Sequence, residues 1–181
     1  MILCSDSRVQ MESFDFTPEN DIFTVRNIGN QIATTPGSVE YGINHLNTPV
    51  LFIVGHSGCG AVNAAYGDYS KESPDIQKEL NTIQIKSAPD VKAAILLNIN
   101  NQVDAALKKF DDKIKSERLT VVGGVYDFRD DYERGDGRFI ITNLNGETDP
   151  QKIEASPLFK KIKEAHIGVA SVHKQEKQKT N

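Results

Sequence analysis

The stretch 48–60 constrains the fold more than any other part of the sequence. Its residues 50–54 are continuously apolar and mostly β-branched, which predicts a strand buried on both faces of a parallel sheet. The strand ends at Gly55, and a glycine-rich turn that carries His56 and Cys59 follows at once. An imidazole and a thiol at the carboxyl end of a buried strand form half of a zinc site.

The second cysteine of the chain, Cys4, stands near the opposite end of the sequence. If the first residues form an extended strand, their alternation places Cys4, Asp6 and Arg8 on one side. About forty residues separate this segment from the buried strand, which is enough for a parallel crossover through a helix. Because open α/β sheets keep their ligand sites at the carboxyl ends of the strands, we expect Cys4 to meet His56 and Cys59, with Asp6 and Arg8 beside them.

Composition limits the class of protein. A chain of 181 residues with 38% hydrophobic and 25% charged residues predicts one soluble globular domain. A net charge of −4 argues against nucleic acid or an anionic membrane as a partner. With neither a long apolar run nor a secretion signal, we expect a cytoplasmic protein, in which thiols stay reduced. A disulfide between Cys4 and Cys59, or two inert buried thiols, is the alternative interpretation.

Hydrophobic patterns predict the remaining elements. They are a short strand at 21–26, a helix with Ser38 as its N-cap, a helix at 61–66, an amphipathic helix at 90–110, a buried strand with a glycine kink at 119–127, and an edge strand at 138–142. This order predicts an α/β fold, with a mostly parallel central sheet of four to five strands flanked by helices and an antiparallel edge strand. The polar end of the chain, 174–179, is expected to be mobile, and His166 and His173 to be solvated.

The candidate ligand set also predicts a chemistry. Three protein ligands leave a fourth zinc position for water, as in catalytic zinc sites. Because two thiolates neutralise the metal's charge, we expect the pKa of bound water to exceed the value of about 7 found with three histidines, so that activity favours alkaline pH. Asp6 could bind the zinc or orient the water, and a bidentate contact from Arg8 could hold Asp6 away from the metal. The alternative for this pair is a surface ion pair of little energetic value.

Five ordered motifs make the sequence similar to the β-class carbonic anhydrases. They are Cys4-Ser5-Asp6-Ser7-Arg8 (C-x-D-x-R), Arg26-Asn27-Ile28-Gly29-Asn30 (R-N-A-G-N), Glu40-Tyr41, His56-Ser57-Gly58-Cys59 (H-x-x-C) and Gly124-Val125-Tyr126-Asp127 (the last four positions of G-x-x-Y-D). On this resemblance, residues 1–145 form the family domain without its usual N-terminal helical segment, and residues 146–181 form a partly mobile C-terminal extension.

The resemblance implies zinc-dependent, reversible hydration of carbon dioxide to bicarbonate and a proton, with one zinc per chain and zinc-bound hydroxide as the nucleophile. It also implies a homodimer or a higher homo-oligomer. Two alternatives stay open: a carbon disulfide or carbonyl sulfide hydrolase on the same scaffold, and a catalytically weak zinc-binding assembly domain. The implied site comprises the metal ligands Cys4, His56 and Cys59, the catalytic pair Asp6 and Arg8, and Tyr41 and Gly60 as candidate substrate contacts.

Overall fold

The computed structural model describes residues 1–164 and 169–170, and these form a mixed α/β sheet structure. The strands are β1 (Ile2–Cys4), β2 (Val25–Asn27), β3 (Val50–His56), β4 (Thr120–Asp127), β5 (Arg138–Leu144) and β6 (Val169–Ala170). Their order in the sheet is β2-β1-β3-β4-β5-β6. Strands β1 to β4 run parallel, β5 is antiparallel to β4, and the two-residue β6 pairs with β5 in parallel. The predicted fold class is therefore confirmed, although β6 adds a sixth strand, so that the antiparallel β5 is not the edge of the sheet.

Helices connect and cover the strands. They are α1 (Pro36–Glu40), which continues as a π-helical turn (Tyr41–His45), α2 (Gly60–Tyr66), α3 (Pro74–Leu80), α4 (Val91–Lys109), α5 (Asp111–Lys115), α6 (Pro150–Ala155) and α7 (Pro157–Glu164). A 3₁₀ turn covers Met11–Ser13. Within the described part of the chain, no helix combines the length and the apolar character needed to cross a membrane.

Two predicted elements start more than one residue away from their predicted positions. The strand predicted at 21–26 is shortened at its start, because the amides of Asp21 and Ile22 both bond to the carbonyl of Pro18 in a turn. The predicted N-cap Ser38 lies inside α1, which begins at Pro36. Proline suits the first turn of a helix, since its missing N–H would have no intrahelical partner there.

The sheet is buried on both faces, and α4 lies close against it. A Cβ atom on Gly55 would lie 2.7 Å from Cδ1 of Ile99 in α4, and one on Gly123 would lie 2.8 Å from Cγ2 of the same residue. Glycine at these two positions therefore permits the close approach of α4. The predicted kink in β4 is confirmed as a register shift between Gly123 and Gly124.

Residues beyond 145 also contribute to the core. Ile153 of α6, and Phe159 and Ile162 of α7, are buried in the cluster on the sheet face that also contains Phe139. The division of the chain at residue 145 stays a prediction. The segment 174–179, predicted to be mobile, and the two histidines predicted to be solvated, His166 and His173, lie outside the described residues.

Candidate metal centre

Three buried side chains from separate segments meet at the carboxyl ends of β1 and β3. Cys4 is the last residue of β1, His56 is the last residue of the neighbouring parallel strand β3, and Cys59 is the N-cap of α2. One potential ligand atom from each residue lies within 4.8 Å of the other two. The predicted convergence is therefore confirmed, while the assignment of these residues as zinc ligands stays a prediction.

The two cysteines are free thiols with a spacing that suits a shared metal ion. Their Sγ atoms lie 4.0 Å apart, so the alternative of a disulfide is wrong. Two sulfurs bound tetrahedrally at about 2.3 Å from one zinc would be separated by about 3.8 Å. Cys59 donates its S–H to Cys4, which lowers the pKa of Cys4 to about 4 and, together with burial, raises the pKa of Cys59. These opposite shifts favour one thiolate and one thiol in the metal-free pair.

The imidazole of His56 is arranged as a ligand would be. Its Nδ1 lies 3.0 Å from the carbonyl oxygen of Ser57, and its Nε2 is buried without a hydrogen-bond partner in the structure. Placing the proton on Nδ1, as a donor to Ser57, leaves the lone pair of Nε2 available to bind a metal. A buried ring nitrogen without a partner is unfavourable unless something binds there, so the residues present fit a metal ion.

Asp6 and Arg8 lie beside this group, but not on a continued strand. β1 ends at Cys4, and the backbone N–H of Arg8 donates to Oδ1 of Asp6 at 2.9 Å. The prediction of an extended segment is therefore wrong, because an aspartate side chain that bonds to the amide two residues on favours a turn. The Arg8 guanidinium donates one hydrogen bond to each oxygen of the Asp6 carboxylate, and these two bonds form a fork. Nε lies 2.8 Å from Oδ1, and Nη2 lies 2.6 Å from Oδ2. These side-chain hydrogen bonds hold the pKa of Asp6 well below its usual range.

Arg26 supports the backbone of this site, a role that no sequence pattern had indicated. Its guanidinium donates to the carbonyls of Cys4 and Asp6, each at 3.3 Å, and to that of Val9. Arg26 lies in β2, which pairs with β1 in parallel, and this pairing brings it beside the turn. A resemblance motif contained the residue, but only the strand order shows which backbone groups it binds.

Phe128 was also missed, although it directly follows the last motif. Its ring stacks on that of His56, with centroids 5.9 Å apart, and Cζ of Arg8 lies 4.4 Å from its centroid. The available signal was its place at the carboxyl end of β4, because parallel neighbouring strands present these ends at one edge.

The two candidate substrate contacts lie in different places. Gly60 begins α2 directly after Cys59, and a Cβ atom there would meet nothing within 4 Å. Tyr41 is 49% exposed, and its ring contacts those of Phe23 and His45, with centroids 6.1 and 4.6 Å away. A role in substrate binding stays a prediction for both residues.

Comparisons with known proteins agree with this arrangement. The family model described as "Carbonic anhydrase" matches residues 1–132. "Carbonic anhydrase 2" of Mycobacterium tuberculosis is 44% identical over 63 residues, which are 34% of this chain and 30% of the relative. "Beta carbonic anhydrase 5, chloroplastic" of Arabidopsis thaliana is 26% identical over 155 residues, covering 72% of this chain and 51% of the relative. The matches thus span about half, or less, of the length of these curated relatives.

A solved structure shares the fold. It is the crystal structure of one of two tetrameric β-carbonic anhydrases from the fungus Sordaria macrospora. Its TM-score to this chain is 0.61 at 23% sequence identity, with 70% of this chain and 73% of that chain covered.

Proposed function

Because this chain belongs to the β-carbonic anhydrase family, we propose that it catalyses the reversible hydration of carbon dioxide to bicarbonate and a proton, with one zinc ion per chain. The observation that carries this proposal is the buried group of Cys4, His56 and Cys59, whose ligand atoms lie within 4.8 Å of one another. The buried Nε2 of His56 supports it further, since that atom makes no hydrogen bond to the described residues.

Each residue of the group has a defined part in holding the metal. Zinc bound there would supply the Lewis acidity that lowers the pKa of water and makes it a nucleophile. Cys4 and Cys59 bind as thiolates and offset the metal's charge, which is why activity should favour alkaline pH. His56 binds through Nε2, while its Nδ1–H donates to the carbonyl of Ser57, 3.0 Å away, and fixes the ring.

Asp6 orients the reacting water in this proposal rather than binding the metal. Its carboxylate can only accept hydrogen bonds, because Arg8 keeps it ionised. Oδ2 of Asp6 lies 3.9 Å from Nε2 of His56, which brings an acceptor to the edge of the metal site. Among the described residues, the potential ligand atoms that lie within 4.8 Å of one another come from two cysteines and one histidine. Asp6 does not belong to this group. The fork from Arg8 engages both carboxylate oxygens and so opposes a swing of Asp6 onto the metal.

The proposal includes an assembly and a compartment. We infer a homodimer or higher homo-oligomer, and the tetrameric relatives from Sordaria macrospora support this inference. We also infer a cytoplasmic location, because the site needs two reduced thiols. Residues 1–145 would form the catalytic domain and residues 146–181 an extension of it.

Metal analysis and stopped-flow hydration assays on the full chain test the proposed function. We expect about one zinc per chain, carbon dioxide hydration at alkaline pH, loss of activity on chelation and recovery when zinc is returned. Parallel assays of sulfide release from carbonyl sulfide and carbon disulfide compare the alternatives. Faster sulfide release than carbon dioxide hydration would favour the hydrolase, and stoichiometric zinc without either activity would favour the assembly domain.

A further inference from the structure

The backbone of Phe128 is fixed at the edge of the metal centre. Its N–H donates to Oγ of Ser57 at 3.1 Å, which ties the end of β4 to the turn after β3. The preceding residue, Asp127, accepts backbone N–H groups from Arg129, Asp131 and Tyr132 at 3.2, 3.1 and 2.8 Å. Hydrogen bonds on both sides therefore set the direction in which the Phe128 side chain leaves the backbone.

The Phe128 ring contacts both a metal-site residue and the arginine of the fork. One contact is the stack on His56, with an interplanar angle of 25°. The other is the guanidinium of Arg8, which lies over the ring with Cζ 4.4 Å from the centroid. His56 is fully buried, so its contact anchors the ring on which the Arg8 guanidinium packs.

Arg8 needs such a surface to hold Asp6 in one position. The Arg8 side chain is 49% exposed, and an exposed ion pair holds long side chains only loosely. A guanidinium packed on an aromatic face gains a cation–π attraction and loses freedom of rotation. The remaining contact of Arg8 with the loop after β3, from Nη2 to the carbonyl of Gly58 at 3.4 Å, is long and weak.

We propose that Phe128 is a positioning residue that acts through Arg8. Its ring holds the guanidinium plane in the orientation at which the fork keeps Asp6 at its observed distance from His56. The consequence for catalysis rests on the proposed function, because it assumes that Asp6 orients the reacting water. The contact itself can be tested in any folded sample of the chain.

The test compares Phe128→Leu with Phe128→Tyr, each in the parent chain and in an Arg8→Ala background. Leucine keeps apolar volume and removes the aromatic face, whereas tyrosine keeps the face. We expect Phe128→Leu to retain zinc and to lower kcat/KM for carbon dioxide hydration about two- to fivefold, and Phe128→Tyr to restore it. In the Arg8→Ala background, Phe128→Leu should not lower activity further, because the guanidinium through which Phe128 acts is absent.

A spectroscopic measurement separates this inference from the proposed activity. In the protein as purified, we expect NMR to show a ring-current displacement of the Arg8 Nε–H proton and, in Phe128→Leu, a change of both this proton and the Asp6 carboxyl carbon. Tyr69→Leu is the matched control, since Lys86 Nζ lies 5.9 Å from that ring's centroid, away from the metal centre. It should leave these signals and the activity unchanged.

Three outcomes would overturn the inference. They are unchanged Arg8 and Asp6 signals in Phe128→Leu, the same loss of activity in the parent and Arg8→Ala backgrounds, and loss of zinc in Phe128→Leu, which would mean that the ring supports His56 instead. Failure of the parent to hydrate carbon dioxide, with the NMR changes present, would contradict the proposed function and leave the positioning of Asp6 supported.

Discussion

Oδ2 of Asp6 lies 3.9 Å from Nε2 of His56. The nitrogen is buried without a hydrogen-bond partner among the described residues, and Arg8 bonds to both oxygens of the carboxylate. A nitrogen able to bind a metal and an oxygen able to accept a hydrogen bond from water therefore face the same small volume. A catalytic zinc site needs both of these groups, whereas a purely structural zinc site needs only the metal ligands.

Removing one thiol should remove the metal. We expect Cys59→Ser to lower the zinc content from about one per chain to near zero, because a neutral hydroxyl is a far weaker ligand than a thiolate. Metal analysis of the purified variant measures this, with circular dichroism to verify folding. Ser5→Ala, an exposed change next to Cys4, is the control and should keep its zinc. An unchanged zinc content in Cys59→Ser would contradict the ligand assignment.

Removing the carboxylate should separate metal binding from catalysis. We expect Asp6→Ala to keep about one zinc per chain and to lower kcat/KM by about 10²-fold or more, because the reacting water loses its orienting acceptor. Stopped-flow hydration and metal analysis on the same sample measure both quantities. Full activity in this variant would mean that Asp6 has only a structural role.

The fork from Arg8 should also be visible as a titration. Arg8 holds the pKa of Asp6 well below its usual range, so the Asp6 carboxyl carbon should show no titration midpoint near the ordinary value of about 4. In Arg8→Ala the midpoint should return toward that value. The pair stabilises the fold above the unfolded-state pKa, and this contribution is lost as pH falls through the folded-state pKa. A normal Asp6 titration in the parent chain would mean that the fork does not persist in solution.

Metal binding should release protons. Hydrogen bonding from Cys59 lowers the pKa of Cys4 to about 4, whereas this bond and burial raise the pKa of Cys59. We therefore expect the metal-free pair to keep one proton at neutral pH and zinc binding to release about one proton from the pair. Calorimetric titrations with zinc in buffers of different ionisation enthalpy measure it. Zinc affinity should fall as the pH is lowered, and a pH-independent affinity would exclude thiol ligands.

Close packing of α4 on the sheet should make the protein less stable when Gly55 is replaced. We expect Gly55→Ala to lower the free energy of unfolding by about 1–3 kcal/mol, because its Cβ would lie 2.7 Å from the buried Ile99. Gly37→Ala in α1 is the matched control, since a Cβ there meets nothing within 4 Å. That change should be neutral or stabilising, because alanine favours helix. Urea denaturation of both variants measures the difference.

Local sequence determined the elements that carry the site and the residue types within it. The apolar run of β3 has one stable environment, a strand covered on both faces, and its end fixes where His56 stands. The parallel arrangement of β1 and β3 followed from the length of the connection, and it brought Cys4 to His56. These features depend on short-range preferences and on chain connectivity, so they could be predicted before any coordinates.

Only the tertiary structure decided how the site is supported. The turn at Asp6 replaced the predicted strand because a side-chain hydrogen bond to Arg8 competes with strand pairing, and residue alternation carries no information on that competition. The contacts of Phe128 with His56 and Arg8 join three separate segments, and those of Arg26 join β2 to the turn. Such contacts depend on distances and directions fixed by packing of the whole sheet. A linear sequence gives the chemistry of each group, and the fold decides which groups touch.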